Sequence, residues 1–287
     1  MNNAKAIDNL VLSLFPGIGL LDRAFSQVGF CVVAGPDPIH GNDLSIENFH
    51  APARHFAGVI AGPPCQAFSV ARRGKVSAEE RERAEALIGH CARVILEARP
   101  DWWLIENVPA VPNIKIDGYT HQRFDLRHDE CDGTQRRRRH FQFGVKRTWN
   151  ENDDGAWWTA PSSKLVIPRA VTSNARQFTP APIGKDSLKI SWKNLCAMMD
   201  LPENFKIESF SKPGAYKAVR NGVPLKMGVV IARAIKNLME GNQVPVRICA
   251  CGCGRPLREK QTSATPACRK RIERERKGTT QKVLHFQ

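Results

Sequence analysis

The chain has 287 residues, of which 43 are Lys or Arg and 28 are Asp or Glu, so its formal net charge is +15. This length is enough for one large domain with additions, and no run of 18 apolar residues predicts a membrane span. A protein this basic is expected to bind an acidic polymer, most simply a nucleic acid, although a generally basic surface would have the same composition.

The first predicted elements are a strand, a glycine-containing turn and a helix. Residues 10–15 form an apolar run typical of a strand, Gly17 and Gly19 follow it, and apolar residues at helical spacing continue to Val28. Glycines in such a turn let backbone N–H groups approach a ligand closely. Many α/β proteins connect a strand to a helix in this way, so the turn alone does not identify a ligand.

A second strand is predicted at residues 31–34, and Asp37 follows it. An acidic residue at this place commonly binds ribose hydroxyls in nucleoside-binding sheets. On local grounds a turn aspartate between two prolines is an equal alternative. The span from residue 30 to residue 56 is too short for a further helix, strand and helix, which predicts that one unit of the sheet is trimmed.

The third predicted strand, residues 56–61, leads into Gly62-Pro-Pro-Cys65-Gln. The two prolines restrict the backbone and lack N–H donors, so the chain must leave the sheet there. Cys65 is therefore expected at the carboxyl end of a strand, where open α/β sheets place their ligands. The cysteine is either a nucleophile or a small buried hydrophobe. Residues 67–75 are predicted to form a mobile, basic loop.

An amphipathic helix is predicted over residues 78–98, and a central strand over residues 102–105 ends at Glu106. A carboxylate directly after four apolar residues is costly to place unless it has a partner or a function. Four arginines, residues 136–139, lead into the next predicted strand, residues 140–145. A run of charges is usually solvated, but in strand geometry Arg137 and Arg139 would share a face with Gln135, an arrangement that suits contacts to anions or base edges.

The remaining elements are a short helix within residues 187–204, a turn at 218–224 and a helix over 227–239. Residues 269–277 are predicted to form a basic helix that either follows phosphates or is simply solvated, and the residues after 278 are expected to be disordered. Four thiols of the tail suit a tetrahedral zinc site, with free thiols as the alternative. These are Cys249, Cys251, Cys253 and Cys268.

Five motifs in this order resemble those of the DNA cytosine-5 methyltransferase family, over residues 10–240. They are Phe15-Pro-Gly-Ile-Gly19, Pro63-Pro-Cys-Gln66, Glu106-Asn-Val108, Gln135-Arg-Arg-Arg-Arg139 and Arg220-Asn-Gly-Val-Pro224. The resemblance implies an α/β fold: a Rossmann-like, doubly wound mixed sheet of the class I methyltransferases, here trimmed. The tail is similar to small zinc-ribbon tails and is not part of the common family core.

The resemblance also implies a reaction, with S-adenosylmethionine as methyl donor and a flipped-out cytosine of duplex DNA as acceptor. Cys65 would add to C6 of the base, Glu106 would hold N3, and Arg137 or Arg139 would contact the base or position Cys65. Seven further residues, carried over one by one from the motifs, would form the donor pocket. They are Phe15, Gly17, Gly19, Asp37, Asp43, Pro64 and Asn221.

Three residues depart from the family pattern: Leu20 replaces a glycine, Asp37 stands among prolines where the family usually has a glutamate in a longer segment, and Arg220 replaces the glycine before Asn221. The target recognition region is also short, about 20 residues before Pro168, a loop's length rather than a domain's. Either sequence specificity is low, or the tail supplies the missing DNA contacts. The alternatives to a DNA methyltransferase are a catalytically silent DNA-binding protein and an enzyme that methylates RNA or transfers another one-carbon group.

Four regions are predicted. Residues 1–147 are the catalytic core, 148–186 a reduced target recognition region, 187–242 the C-terminal part of the core, and 243–287 a zinc-binding basic tail. Residues 1–5 lack the apolar run of a signal peptide, so we expect a location in the cytoplasm of a bacterial or phage-infected cell. The expected partner is duplex DNA, with no membrane and no obligate protein partner; a restriction-modification or phage setting fits the compact size.

Overall fold

The computed structural model describes residues 7–40, 45–69, 74–146, 148–149, 157–158, 190–208, 210–241, 263, 266–276 and 283–286. Its strands are β1 (Ile7–Leu14), β2 (Cys31–Ala34), β3 (Phe56–Ala61), β4 (Trp102–Asn107), β5 (Asn113–Ile116), β6 (Tyr119–Arg127), β7 (Arg138–Lys146), β8 (Thr148–Trp149), β9 (Trp157–Trp158) and β10 (Val283–Phe286). Its helices are α1 (Leu20–Gln27), α2 (Ala78–Ala98), α3 (Trp192–Met198), α4 (Lys212–Asn221), α5 (Leu225–Met239) and α6 (Pro266–Arg276). None of the helices in these ranges is long and apolar enough to cross a bilayer.

Six strands form one mixed sheet in the order β2-β1-β3-β4-β7-β6. Strands β1 to β4 are parallel, and β7 runs antiparallel to both β4 and β6. The carboxyl ends of β1, β3, β4 and β6 therefore share one side of the sheet, which we call the carboxyl edge. This confirms the predicted Rossmann-like mixed sheet. The described residues between β2 and β3 contain no strand, as expected for a trimmed unit, and β2 is an outer strand.

Each face of the sheet is covered by its own apolar core. Helices α1 and α5 pack on one face around Phe25, Trp102 and Ile231, and α2 packs on the other around Ile88 and Trp103. Trp102 and Trp103 are adjacent on β4 and point to opposite faces, because side chains alternate along a strand. The central strand thus contributes one large ring to each core.

Two glycines on the neighbouring strands make room for these rings. Gly58 of β3 pairs with Trp102, and Gly144 of β7 pairs with Trp103. A Cβ atom on Gly58 would lie 2.1 Å from the Trp102 ring, and one on Gly144 would lie 2.2 Å from the Trp103 ring. Any larger residue at either position would displace an indole from the core.

The structure corrects three sequence-based predictions. Residues 218–221 are the last turn of α4 rather than a loop, although the Asn-Gly-Val-Pro signal does end that helix. Residues 283–286 are not disordered but form β10, which pairs in parallel with β5. Strands β5 and β6 were not among the predicted elements. Trp157 and Trp158 form β9, which pairs with β8, and their side chains lie outside the described part.

We predict that Gly58→Ala and Gly144→Ala each lower the free energy of unfolding by about 1–3 kcal/mol, the range for overpacked cores. The added methyl group must push an indole that is closely packed in the core. Chemical denaturation followed by tryptophan fluorescence measures the effect.

Gly89→Ala is the matched control, because a Cβ there would lie 3.4 Å from the Phe286 ring, an ordinary contact, inside helix α2. Alanine is the better helix former, so this variant should be neutral or more stable by up to about 1 kcal/mol. Equal losses in all three variants would contradict the tryptophan argument.

Candidate active site

The turn between β1 and α1 has a backbone suited to close contact with a ligand. Phe15, Gly17 and Gly19 have φ angles of 54°, 59° and 70°, in the left-handed region that favours glycine. A Cβ atom on Gly17 would meet nothing within 4 Å, so the space beside the turn is open. The turn therefore presents exposed backbone next to the start of α1.

Asp37, which follows β2, is hydrogen-bonded to this turn. Its Oδ2 accepts a hydrogen bond of 2.7 Å from the Gly17 N–H, and its Oδ1 accepts one of 2.8 Å from the Ile39 N–H. The aspartate is buried. Asp37 therefore has the turn role that the sequence offered as one alternative, and it links its own loop to the glycine turn; ribose binding stays a prediction.

The Gly62-Pro-Pro-Cys segment meets both the glycine turn and the end of β4. The Gly62 N–H donates to the Leu14 carbonyl at 3.0 Å, and a Cβ atom on Gly62 would lie 3.3 Å from the Phe15 carbonyl and 4.0 Å from Glu106 Oε2. Only glycine leaves this space free. Cys65, three residues further on, is half-buried at the carboxyl edge, as predicted.

Asn107 fixes the other side of this segment, and the sequence analysis did not single it out. Its Nδ2 donates to the Pro63 carbonyl at 3.2 Å, and its Oδ1 accepts from the Val108 N–H at 2.9 Å. The side chain is buried. Its place after an apolar strand and within the Glu106-Asn-Val108 motif were the available signals, and neither reveals a partner 44 residues away.

Glu106 forms an ion pair with Arg139 at the end of the central strand. Arg139 Nε lies 2.9 Å from Glu106 Oε1, and the two side chains are only 13% and 14% exposed. Burial raises the pKa of Glu106 to about 7, although the Arg139 charge opposes this effect. Near neutral pH the carboxyl group is therefore divided between its protonated and ionised forms, so it can donate a hydrogen bond as well as accept one.

The same environment acts on Cys65. Burial, and then the Glu106 charge, raise the pKa of the Cys65 thiol above its ordinary value, and the Arg139 charge partly opposes them. The thiol is therefore protonated in the free protein at neutral pH. A thiolate at Cys65 would require a change in these electrostatic surroundings.

The arginine motif joins β7 to the last turn of α4. Arg137 Nη2 donates to the carbonyls of Arg220 and Gly222, and Arg139 Nη2 donates to the Asn221 carbonyl at 2.9 Å. The last carbonyls of a helix lack partners within the helix and carry partial negative charge, so guanidinium groups suit them well. The two arginines thus hold the segment of Asn221 against the sheet.

The alternation predicted for the arginine motif is confirmed. Arg137 and Arg139 are half-buried, whereas Arg136 and Arg138 are exposed. Gln135 is buried on the inner side, where its Nε2 donates to the Met198 carbonyl of α3. The inner residues of the motif therefore meet helices α3 and α4.

Gly222 links this part of the site to the glycine turn. A Cβ atom at Gly222 would lie 2.6 Å from Leu20 Cδ1, in the first residue of α1. Asn221 lies immediately before it, with an exposed side chain. The glycine turn, the end of β4 at Glu106, the arginine motif and the segment of Asn221 are therefore neighbours in space.

Some predicted site residues lie outside the described part of the chain. They are Asp43, Cys249, Cys251 and Cys253. Cys268 is described and is buried in the same apolar cluster as Phe124 and Leu126. Within the described ranges, no three His, Cys, Asp or Glu side chains are grouped so that they could hold a metal ion. Zinc binding by the tail stays a prediction.

Comparison with known proteins gives consistent results. The family model for C-5 cytosine-specific DNA methylases matches residues 10–181, more than half of the chain. The type II methyltransferase M.HgiDI of Herpetosiphon aurantiacus is 31% identical over 165 residues, 46% of this chain and 51% of that protein. The type II methyltransferase M.XorII of Xanthomonas oryzae pv. oryzae is 32% identical over 123 residues, 34% of this chain and 27% of that protein. The alignments thus span about half the length of the first curated relative and less of the second.

A solved structure supports the fold alone. It is that of a protein assigned as a DNA modification methyltransferase encoded within a prophage of E. coli. The match has a TM-score of 0.52 at 15% identity and covers 80% of this chain and 99% of that one.

The raised pKa of Glu106 predicts a pH-dependent stability difference between the wild type and Glu106→Gln. The wild type is at its most stable, with respect to this group, below the unfolded-state pKa near 4.5, and it loses that stability as the pH rises towards the folded value of about 7. Glutamine does not titrate. We expect Glu106→Gln to gain on the order of 2 kcal/mol relative to the wild type between pH 5 and pH 8.

Denaturant unfolding of both proteins at the two pH values measures this gain. Glu97→Gln is a useful control, because the pKa of Glu97 is lowered: burial raises it, but bonds from Arg93 and His50 outweigh that effect. That variant should not gain stability as the pH rises. A stability difference for Glu106→Gln that is constant with pH would contradict the burial argument.

Proposed function

The chain belongs to the C-5 cytosine-specific DNA methylase family, and on that premise we propose that it transfers a methyl group from S-adenosylmethionine to C5 of a flipped-out cytosine in DNA. The observation that carries the proposal is the position of Cys65: the charges of the buried Glu106–Arg139 pair act on its thiol, and Gly62, three residues before it, lies beside the glycine turn. A thiol, a carboxyl group with a pKa of about 7 and a guanidinium are the groups that this reaction requires.

The β1–α1 turn fits a nucleoside-containing donor. Its open space at Gly17 and its left-handed backbone would let a ligand approach the main chain. Each carboxylate oxygen of Asp37 accepts one backbone N–H and retains a further lone pair, which a ribose hydroxyl could use. When bound, S-adenosylmethionine would supply an electrophilic methyl group on a sulfonium. The residues that we propose to hold the donor are Phe15, Gly17, Gly19, Asp37, Asp43, Pro64 and Asn221.

Addition of Cys65 makes the cytosine ring reactive. C5 of cytosine is a poor nucleophile, and the proposed first step is attack of the Cys65 thiolate on C6, which forms an S–C6 bond. The electron pair of the C5–C6 double bond is thereby displaced into the ring towards N3. A protonated Glu106 donates its hydrogen bond to N3 and stabilises the negative charge that develops there.

The second half of the reaction restores the aromatic ring. The electron pair would return through the enamine to C5, which would form its bond to the methyl group as the bond from the methyl group to the donor's sulfur breaks. The electron pair of that broken bond would stay on the sulfur, which becomes a neutral thioether. A base then removes the C5 proton, the C5–C6 double bond forms again, and the Cys65 thiolate leaves with the electron pair of the S–C6 bond. We assign no residue to this base. Arg139 would keep Glu106 oriented throughout, and Arg137 is proposed as a positioning residue that holds the α4 segment.

The target base must leave the helix stack before Cys65 can reach it. The residues that follow Cys65 form a short helical turn at Gln66–Phe68, and we propose that the basic segment to residue 75 closes over the flipped nucleotide. Residues 148–186 are the proposed target recognition region, and residues 243–287 are the proposed zinc-binding tail.

Covalent trapping tests the proposal. Duplex DNA containing 5-fluorocytosine should form a denaturation-resistant adduct with the wild type in the presence of S-adenosylmethionine, because fluorine cannot leave C5 as a cation and elimination stops. Cys65→Ser should form no adduct and should lose at least ~10³-fold in methyl transfer, the scale on which essential nucleophiles act.

Cys31→Ser is the control, since Cys31 is an exposed cysteine on the outer strand β2. It should trap and methylate like the wild type. Methyl transfer that survives in Cys65→Ser would overturn the mechanism. If the wild type transfers methyl groups to RNA and not to DNA, the proposed substrate is wrong.

A further inference from the structure

The position and charge of the tail helix α6 lead to an inference about how the protein binds its substrate. We infer that α6 is a phosphate-binding arm, docked beside the carboxyl edge so that its outer side contacts the backbone of duplex DNA flanking the target base. This inference rests on the proposed function for the identity of the polymer.

Helix α6 is attached to the main body of the protein by both apolar and charged contacts. Cys268 is 5% exposed within the cluster that contains Phe124 and Leu126, and Ile272 packs against the same cluster. Arg271 Nη2 donates a hydrogen bond of 3.3 Å to Asp125 Oδ2. The helix is therefore held on the outer strand β6 in a defined position.

Asp125 is a suitable anchor because it remains charged. Burial raises its pKa, but a hydrogen bond from His140 and the charges of His140, Arg271 and Arg123 outweigh this and keep the pKa below its ordinary value. His140 is fully buried, and its Nδ1 lies 2.7 Å from Asp125 Oδ1. The carboxylate thus joins the buried side of β7 to the tail helix.

The register of the strands places this anchor near the active site. Asp125 pairs with His140 on β7, and His140 pairs with Asn107 on β4, the residue after Glu106. Two strand spacings amount to ~10 Å between the Asp125 and Asn107 backbones. His140 also follows Arg139 directly, so α6 is anchored within two strands of the Glu106–Arg139 pair.

The outer side of α6 is basic. With ~100° between successive residues of a helix, Cys268, Arg271 and Ile272 fall on one side, which is the docked one. The opposite side exposes Arg269, Lys270, Glu273 and Arg274. These four residues, which we call the outer face, carry a net charge of +2.

A further exposed cation lies on the strand next to the anchor. Arg138 is exposed and pairs with Arg127 on β6, two residues beyond Asp125. A helix that only needed to cover β6 would gain nothing from three cations directed at solvent, whereas a polyanion gains from each of them through counterion release. The sequence predicts a reduced target recognition region, and α6 would supply DNA contacts that this short region lacks.

The test compares two triple variants that lose the same charge. Arg269→Ala/Lys270→Ala/Arg274→Ala removes the basic residues of the outer face, and Lys115→Ala/Lys146→Ala/Arg233→Ala removes three exposed basic residues from β5, β7 and α5. Duplex DNA binding is measured from low to physiological salt, and methyl transfer is measured at saturating DNA.

The outer-face variant should weaken binding about tenfold or more and reduce the slope of log K against log salt by about 2–3, since each phosphate contact contributes about 0.9. The loss should be alike for all duplex sequences, and methyl transfer at saturating DNA should equal that of the wild type. The control variant should keep a slope close to that of the wild type.

A third variant, Ile272→Ser, keeps every charge but removes an apolar contact of the docked side. It should also weaken duplex binding, because the arm then loses its fixed position. Wild-type affinity in this variant, or equal slopes for the two triple variants, would overturn the inference. If the wild type binds DNA but transfers no methyl group, the proposed function fails, and the salt slopes still decide whether α6 binds the backbone.

Discussion

Arg139 is the residue on which the arrangement of the site depends. Its guanidinium contacts the Glu106 carboxyl group through Nε and the last carbonyls of α4 through Nη2. One cation thus offsets a buried carboxylate and satisfies the end of a helix that comes 82 residues later in the chain. Removal of one partner of a buried ion pair typically costs about 3–5 kcal/mol, because the other charge remains buried. The central strand and α4 are therefore joined through this one guanidinium.

The site combines groups whose neutral forms are favoured. Burial raises the pKa of both Glu106 and Cys65, and the single Arg139 charge opposes both shifts without cancelling them. A fold selected for stability alone would not bury a carboxyl group that titrates near neutral pH. A carboxyl group that is still partly protonated at pH 7 is, however, what a hydrogen bond to a ring nitrogen requires. The burial of Glu106 thus lowers stability at neutral pH and also keeps the carboxyl group able to donate the proposed hydrogen bond.

The sequence predicted the parts of the fold that local patterns determine. Apolar runs identified β3 and β4, helical spacing identified α2 and α5, and strand alternation separated Arg137 and Arg139 from their exposed neighbours. Strand β6 was missed because polar and charged residues interrupt its pattern: it is an outer strand whose Arg123 and Asp125 bind partners from other segments. The bond from Asn107 to Pro63 could not be predicted either, because it depends on the registers of two strands.

Cys268 is a predicted zinc ligand and is also part of the contact between α6 and the apolar core, and these two roles place different demands on its thiol. A zinc ligand must be a thiolate, with space around its sulfur for an ion and three further ligands. Cys268 is 5% exposed and belongs to the apolar cluster that contains Phe124 and Leu126 of β6. The contacts of α6 with Asp125 and with this cluster hold Cys268 at a fixed place on the sheet, so any further ligands of a metal would have to approach it there.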